Sequence, residues 1–179
     1  MLSSILKKES CAACRFCCAF RRQSLWEIPI FTKENKEAIE KNPSLDASVL
    51  IPVSDGLFGD VKGDFADFLS DYFRYELFDS YQTEDPEEEA PCPYLDSKTG
   101  CVLNEDEKPW DCKIWPLRVM RKEDGEIVVA LTPTCPSVNQ LDMETIKEFV
   151  NDEFKEKLLS YAKEHPFLVK EYIEDFPIL

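Results

Sequence analysis

The sequence predicts an α+β fold: one small domain with an antiparallel hairpin, several helices and a cysteine-rich loop region stapled by metal. Three observations predict it. An Asp124-Gly125 pair stands between two apolar runs, which is a strong hairpin signal. Apolar residues recur at helical spacing near the middle and near the end of the chain. Eight cysteines lie outside those stretches, four of them at Cys11, Cys14, Cys17 and Cys18. A chain of 179 residues buries a real core without a staple, so size alone does not explain the thiols.

The elements follow in order. Residues 26–31 alternate well enough for a short edge strand, with Pro29 forbidding a central one. Thr32 is placed to cap a helix over 33–41, which Asn42-Pro43 stops. Phe65, Phe68, Leu69, Tyr72 and Phe73 give residues 64–79 an amphipathic helical stripe that suits core packing. Residues 84–91 are acidic and bracketed by prolines, the composition of a solvated connector. From Trp115 to Thr132 the pattern is that of a hairpin, with Leu117 and Val119 before Asp124-Gly125 and Ile127 to Leu131 after it. Ser137 and Gln140 have capping-box spacing, and helical spacing beyond them predicts a long helix over 138–164. A short helical tail to Asp175 follows. The whole chain, 1–179, is then a single domain with a motif core at 11–136 and a helical C-terminal extension at 137–179.

Charge bounds the partners. The formal net charge of −15 is opposite to the basic footprint of a nucleic-acid binder. No apolar run approaches the ~18 residues of a membrane span. The N-terminus places its apolar stretch before Lys7 and Lys8, the reverse of a signal peptide. The expectation is a cytoplasmic protein with a metal ion as partner, and with no nucleic acid and no membrane. In a reducing compartment eight thiols read as metal ligands or catalytic groups, not as disulfides.

Cys11-x2-Cys14-x2-Cys17 offers three ligands from one loop, because two intervening residues let a turn aim successive sulfurs at one centre. Such a run is familiar from iron–sulfur ligation, where the last cysteine precedes proline, as Cys135 precedes Pro136 here. Zinc sites more often pair two separate C-x2-C knuckles, and a second knuckle is missing. The preferred cofactor is therefore an iron–sulfur cluster, with zinc as the alternative. Adjacent side chains diverge, so Cys17 and Cys18 suit two different centres. One partition gives Cys11, Cys14, Cys17 and Cys135 to the first and Cys18, Cys92, Cys101 and Cys112 to the second. Arg15, Arg21 and Arg22 beside the first cluster, and Lys113, Arg118, Arg121 and Lys122 after Cys112, suit compensation of thiolate charge. Isolated buried thiols are common, but four thiols within eight residues need a ligand role.

Beyond the first run stand Cys92-Pro93-Tyr94-Leu95, Gly100-Cys101-Val102-Leu103 and Lys108-Pro109-x2-Cys112-Lys113-Ile114-Trp115-Pro116. With Cys11-x2-Cys14-x2-Cys17-Cys18 they resemble the CxxCxxCC family, described as a zinc- or iron-chelating domain and also known as YkgJ family cysteine cluster proteins. The resemblance runs from Cys11 to about Pro136. It implies metal binding through the cysteines, with the helical ends as extensions. Departures are Leu103-Asn104 for Ile-Tyr, one added residue before Lys108, Lys for Arg at 108 and 113, and Trp115 for Phe. Lysine lacks the planar fork of arginine.

The sequence thus reads as a metal-binding protein that coordinates iron, as an iron–sulfur cluster, or zinc. The alternative is an iron–sulfur-dependent redox or protein-modifying enzyme, since flagellin lysine methylases resemble the family in their cysteine motif. Thiol–disulfide exchange would use one C-x2-C pair and leave six cysteines unexplained. No phosphate loop or Ser-His pairing is visible, and the single histidine, His165, precedes Pro166 where a helix should end.

Overall fold

The computed structural model describes residues 14–53, 71–136, 138 and 141–179. It is an α+β fold of short strands and helices. The chain divides into two compact units, Arg15–Lys113 and Met1–Cys14 with Ile114–Leu179.

The unit Arg15–Lys113 opens with a 3-10 turn, Phe16–Cys18, and runs into β1 (Ala19–Arg21). A second 3-10 stretch, Arg22–Glu27, takes the first two residues of the edge strand expected over 26–31, and residues 28–30 are irregular. The backbone explains the difference. Arg22 N and Gln23 N donate to Glu88 O and Pro86 O, which commits this stretch to the acidic loop. Only β2 (Phe31–Thr32) remains extended. Helix α1 (Lys33–Lys41) begins where expected. Thr32 accepts from Asn35 N, and Asn35 Oδ1 accepts from Thr32 N, closing a capping box.

Next come β3 (Leu50–Pro52) and β4 (Tyr72–Tyr75). The helix expected over 64–79 is corrected in its second half: β4 is the middle strand of the order β2-β4-β3. Residues 64–70 of that expectation lie outside the described residues. Strand pairing on both sides overrides the helical spacing of Tyr72 and Phe73, and aromatic residues suit a half-buried pleat.

The acidic connector is a loop only as far as Glu88. β5 (Glu89–Pro91) pairs antiparallel with β1, Ala19 facing Pro91. β6 (Leu95–Asp96) and β7 (Gly100–Cys101) form a small hairpin, and α2 (Trp110–Ile114) follows. The core of this unit gathers Phe20, Ile28, Phe31, Ile39, Tyr75, Tyr94 and Leu103, with Cys92 packed against it.

The other unit is built on the expected hairpin, β8 (Leu117–Arg121) with β9 (Ile127–Leu131). The single long helix expected over 138–164 is two. Helix α3 (Met143–Phe149) is capped by Asp142, and α4 (Asp152–Glu164) by Asn151, which accepts from Phe154 N. Ser137 and Gln140 lie outside the described residues. Asn151 satisfies the N-terminal amides of α4, so a new helix starts there although the apolar spacing continues. His165 closes α4, and its ring lies 4.4 Å from that of Tyr161.

The helical tail expected to Asp175 is instead a 3-10 turn and β10 (Lys170–Glu171), which pairs parallel with β8. Tyr172, Ile173 and Phe176 pack on Met120, Val128 and Ala130. Residues 177–179 pair along β9, through Leu131 N to Pro177 O and Leu179 N to Val129 O. Both edges of the hairpin are therefore covered. Residues 137–179 belong to the same unit as the hairpin and do not stand apart from it.

Gly125 holds φ at +87° with open space where a Cβ would sit. Gly125→Ala should lower stability by about 1 kcal/mol through backbone strain alone. Chemical denaturation measures it. A loss several times larger would mean that packing, not the left-handed turn, fixes this position.

Candidate metal centre

Four segments of the unit Arg15–Lys113 each contribute a thiol. Arg15 adopts a left-handed conformation, φ 54°, and Cys18 N donates to Arg15 O at 2.9 Å. This turn brings Cys18 to the foot of β1. Cys92 N donates to Cys18 O at 2.7 Å, which adds a rung to the β1–β5 pairing and sets the two cysteines side by side. Cys92 O then accepts from Leu95 N, turning the chain into β6. Cys101 ends β7 opposite Leu95. The turn between them is held by Asp96, whose Oδ1 accepts from Lys98 N, Thr99 N and Thr99 Oγ1. Cys112 lies in α2.

These four thiols feel one another's charge in every pairing. Burial pushes the Cys92 thiol up to about 12, and the charges of Cys18 and Cys101 add to it. Burial likewise raises Cys101, with Cys18 contributing. The protein around Cys112 holds its thiol well above the ordinary range, although the residue touches solvent, and Cys92, Cys18 and Cys101 all add. Cys18 is pushed up first by a side-chain hydrogen bond with Cys17 and then by burial. The adjacent Cys17 and Cys18 side chains lie within hydrogen-bond reach of one another.

The described cysteines are all free thiols. Among the described residues no group of three or more Cys, His, Asp or Glu side chains is arranged, as it stands, to hold a metal ion. Cys18, Cys92, Cys101 and Cys112 are brought within electrostatic reach, and a metal would have to draw the sulfurs closer. Cys17 is exposed and belongs to the same unit. Cys14, exposed, and Cys135, buried, belong to the other unit, and Cys11 lies outside the described residues.

The local cations are arranged differently from the sequence expectation. Arg21 pairs with Glu87, and Arg22 with Glu84 and the Thr83 carbonyl. Arg15 donates to Ser97 O. Lys122 pairs with Glu126, and Arg118 stacks 4.9 Å from the centre of the Trp115 ring. Lys108 is the cation whose charge favours the thiolates of Cys18 and Cys101. Its loop is fixed from below. Asn35 Nδ2 donates to Asp106 O at 2.9 Å and to Lys108 O at 3.1 Å. Buried Glu107 accepts from Asn104 N and from Asn42 Nδ2. The α1 cap and the α1 stop signal thus also anchor the segment that presents Lys108.

Sequence reasoning missed three contributors. Asn35 carries no signal in the sequence beyond its place in α1, and its side-chain amide reaches across 71 and 73 residues. Lys108 is visible only as a replacement for Arg. Tyr75 carries no signal at all; its hydroxyl lies 3.3 Å from Cys92 Sγ. Comparison with protein-family models, curated proteins and solved structures finds no match for the chain.

Two outcomes are expected from this geometry. Asn35→Ala leaves two carbonyls unpaired and should destabilise the protein by about 2 kcal/mol, read by denaturant unfolding. Lys108→Met removes a charge that lowers two thiols, so Cys18 and Cys101 should ionise at higher pH. They should be alkylated more slowly at mildly alkaline pH, measured site by site by mass spectrometry. Unchanged rates would place Lys108 outside the thiol field.

Proposed function

We propose that this protein binds a thiol-ligated metal centre, iron as an iron–sulfur cluster or zinc in its place, through Cys18, Cys92, Cys101 and Cys112. One observation carries the reading: thiols from four separate segments share one neighbourhood, where Cys18 and Cys101 raise the cost of ionising Cys92, and Cys92, Cys18 and Cys101 raise that of Cys112. Four thiols gathered this way oppose one another as thiolates. A soft cation replaces the four protons and turns repulsion into ligation.

The donor chemistry fits either group. Four thiolates satisfy a closed tetrahedral zinc site, and they equally satisfy the terminal positions of an iron–sulfur cluster. When bound, a cluster would supply one-electron transfer and zinc a structural crosslink. The chain's own contributions are distinct. The β1–β5 rung sets Cys18 beside Cys92. The Asp96 turn sets Cys101. The Asn35 and Glu107 contacts fix the loop before α2 and so hold Cys112 and Lys108.

The test is metal content of protein purified without oxygen. Brown protein with iron and acid-labile sulfide selects the cluster, and colourless protein with stoichiometric zinc selects the structural ion. Serine replacement of Cys18, Cys92, Cys101 or Cys112, one at a time, should each abolish that centre. Affinity should fall at least tenfold, because outer partners alone are worth about 10–100-fold. Undiminished binding in all four variants would overturn the assignment.

A further inference from the structure

Cys18 and Cys92 come from segments far apart in the sequence and meet at one backbone rung. Cys92 N donates to Cys18 O at 2.7 Å. In an antiparallel ladder such a bond holds the two Cα atoms about 5.5 Å apart. A disulfide spans Cα separations of about 4.4–6.8 Å, so the backbone already stands at bridging distance. The rung is fixed from both ends. Cys18 N is engaged by Arg15 O at 2.9 Å, and Leu95 N donates to Cys92 O at 3.0 Å. Ala19 with Pro91 and Phe20 with Ala90 continue the same register beyond it. Both residues are half-buried free thiols.

The neighbouring thiols are placed less well for a bridge. Cys17 and Cys18 are joined by a trans peptide, which sets their Cα atoms about 3.8 Å apart, below the disulfide range. Cys101 stands opposite Leu95, not opposite Cys92. Cys112 is carried on α2 and takes no part in the β1–β5 pairing.

We infer that Cys18 and Cys92 are a redox switch, joined on two-electron oxidation by a reversible disulfide that locks β1 to β5. Two S–H bonds break and one S–S bond forms. The two electrons and two protons pass to a small-molecule disulfide, oxidised glutathione, whose S–S bond breaks to leave two thiols. A dithiol reductant reverses the step. Disulfides that form in reducing compartments are transient and redox-sensing, which is the behaviour assigned to this pair. The inference stands on the metal-free chain and does not require that a metal ever binds. Its consequence for the proposed metal centre is direct: the bridge takes two of the four thiols, so the oxidised chain has only two left for a metal.

The test uses the full chain, metal-free and reduced, in glutathione buffers of rising oxidised fraction. Burial slows exchange at both sulfurs, so the samples are read at equilibrium and not by rate. They are quenched in acid, digested and mapped by mass spectrometry. The expected product is a pair of peptides linked through Cys92 and the Cys17-Cys18 segment, lighter by two hydrogens and separated again by dithiothreitol. Cys17→Ser should keep that link, which then belongs to Cys18, and Cys92→Ser should abolish it. Glutathione adducts without any linked peptide, a link lost in Cys17→Ser, or a bridge from Cys92 to Cys101 or Cys112 in its place would overturn the inference. A parallel sample saturated with zinc separates this proposal from the metal centre. A bridge that zinc suppresses supports both. A bridge that forms equally with and without zinc supports the switch and counts against the centre. Zinc held by the four thiols, with no bridge once the zinc is removed, keeps the centre and overturns the switch.

Discussion

The thiol geometry depends on a single backbone hydrogen bond, Cys92 N to Cys18 O at 2.7 Å. β1 and β5 are three residues each, too short to define much by themselves. Their register puts Ala19 opposite Pro91, and the next pair outward is Cys18 with Cys92. Proline at 91 donates nothing to the ladder, so the pairing relies on the rungs beside it. Phe20 and Ala90 bury their side chains beneath the same strands, which fixes which face is in and which is out. A slip of one residue would turn both cysteines to the opposite face. The Tyr81 hydroxyl also donates to Phe20 O, securing β1 from its other side.

From that rung the remaining thiols follow by short connections. Eight residues separate Cys92 from Cys101, and the β6–β7 hairpin folds them back upon one another. Ten residues separate Cys101 from Cys112, and the loop between is tied to α1 through Asn35 and Asn42. Long-range order enters through β1 with β5, α1 with residues 104–108, and Arg15 with the Ser97 carbonyl.

Much of this was legible in the residues and some was not. The hairpin was readable because Asp124-Gly125 permits one tight turn and its flanks are apolar. Helix α1 was readable because a capping threonine and an Asn-Pro stop bracket it. The break between α3 and α4 was hidden, since Ile146, Val150 and Phe154 stay in phase across it while Asn151 starts a new helix. β4 was hidden for a similar reason: Tyr72 and Phe73 satisfy the helical period as well as the strand period, and only pairing to both β2 and β3 decides between them. At the site, spacing pointed to the cysteines themselves. Spacing could not show the Asn35 bridges or the Tyr75 hydroxyl, because both reach across the chain from elements that carry no cysteine.

Electrostatics sets the sign of what such a neighbourhood can attract. Before any thiol ionises, Asp111 already disfavours charge on Cys112, and Glu107 on Cys101. The arginines next to the first cysteine run do not reverse this. Arg21 and Arg22 are held by Glu87 and Glu84, and Arg15 reaches the Ser97 carbonyl. Among the described residues Lys108 is the cation that favours the thiolates of both Cys18 and Cys101. With the thiols protonated and uncharged, the two carboxylates outweigh that lysine, and the neighbourhood disfavours anions. An anionic substrate would meet this field with its charge uncompensated, whereas a cation or a positively charged metal core meets it as a partner. Lysine at 108 also suits that role better than an arginine fork would. Its compact charge can lie near sulfur without the planar, bidentate demand that a guanidinium places on its surroundings.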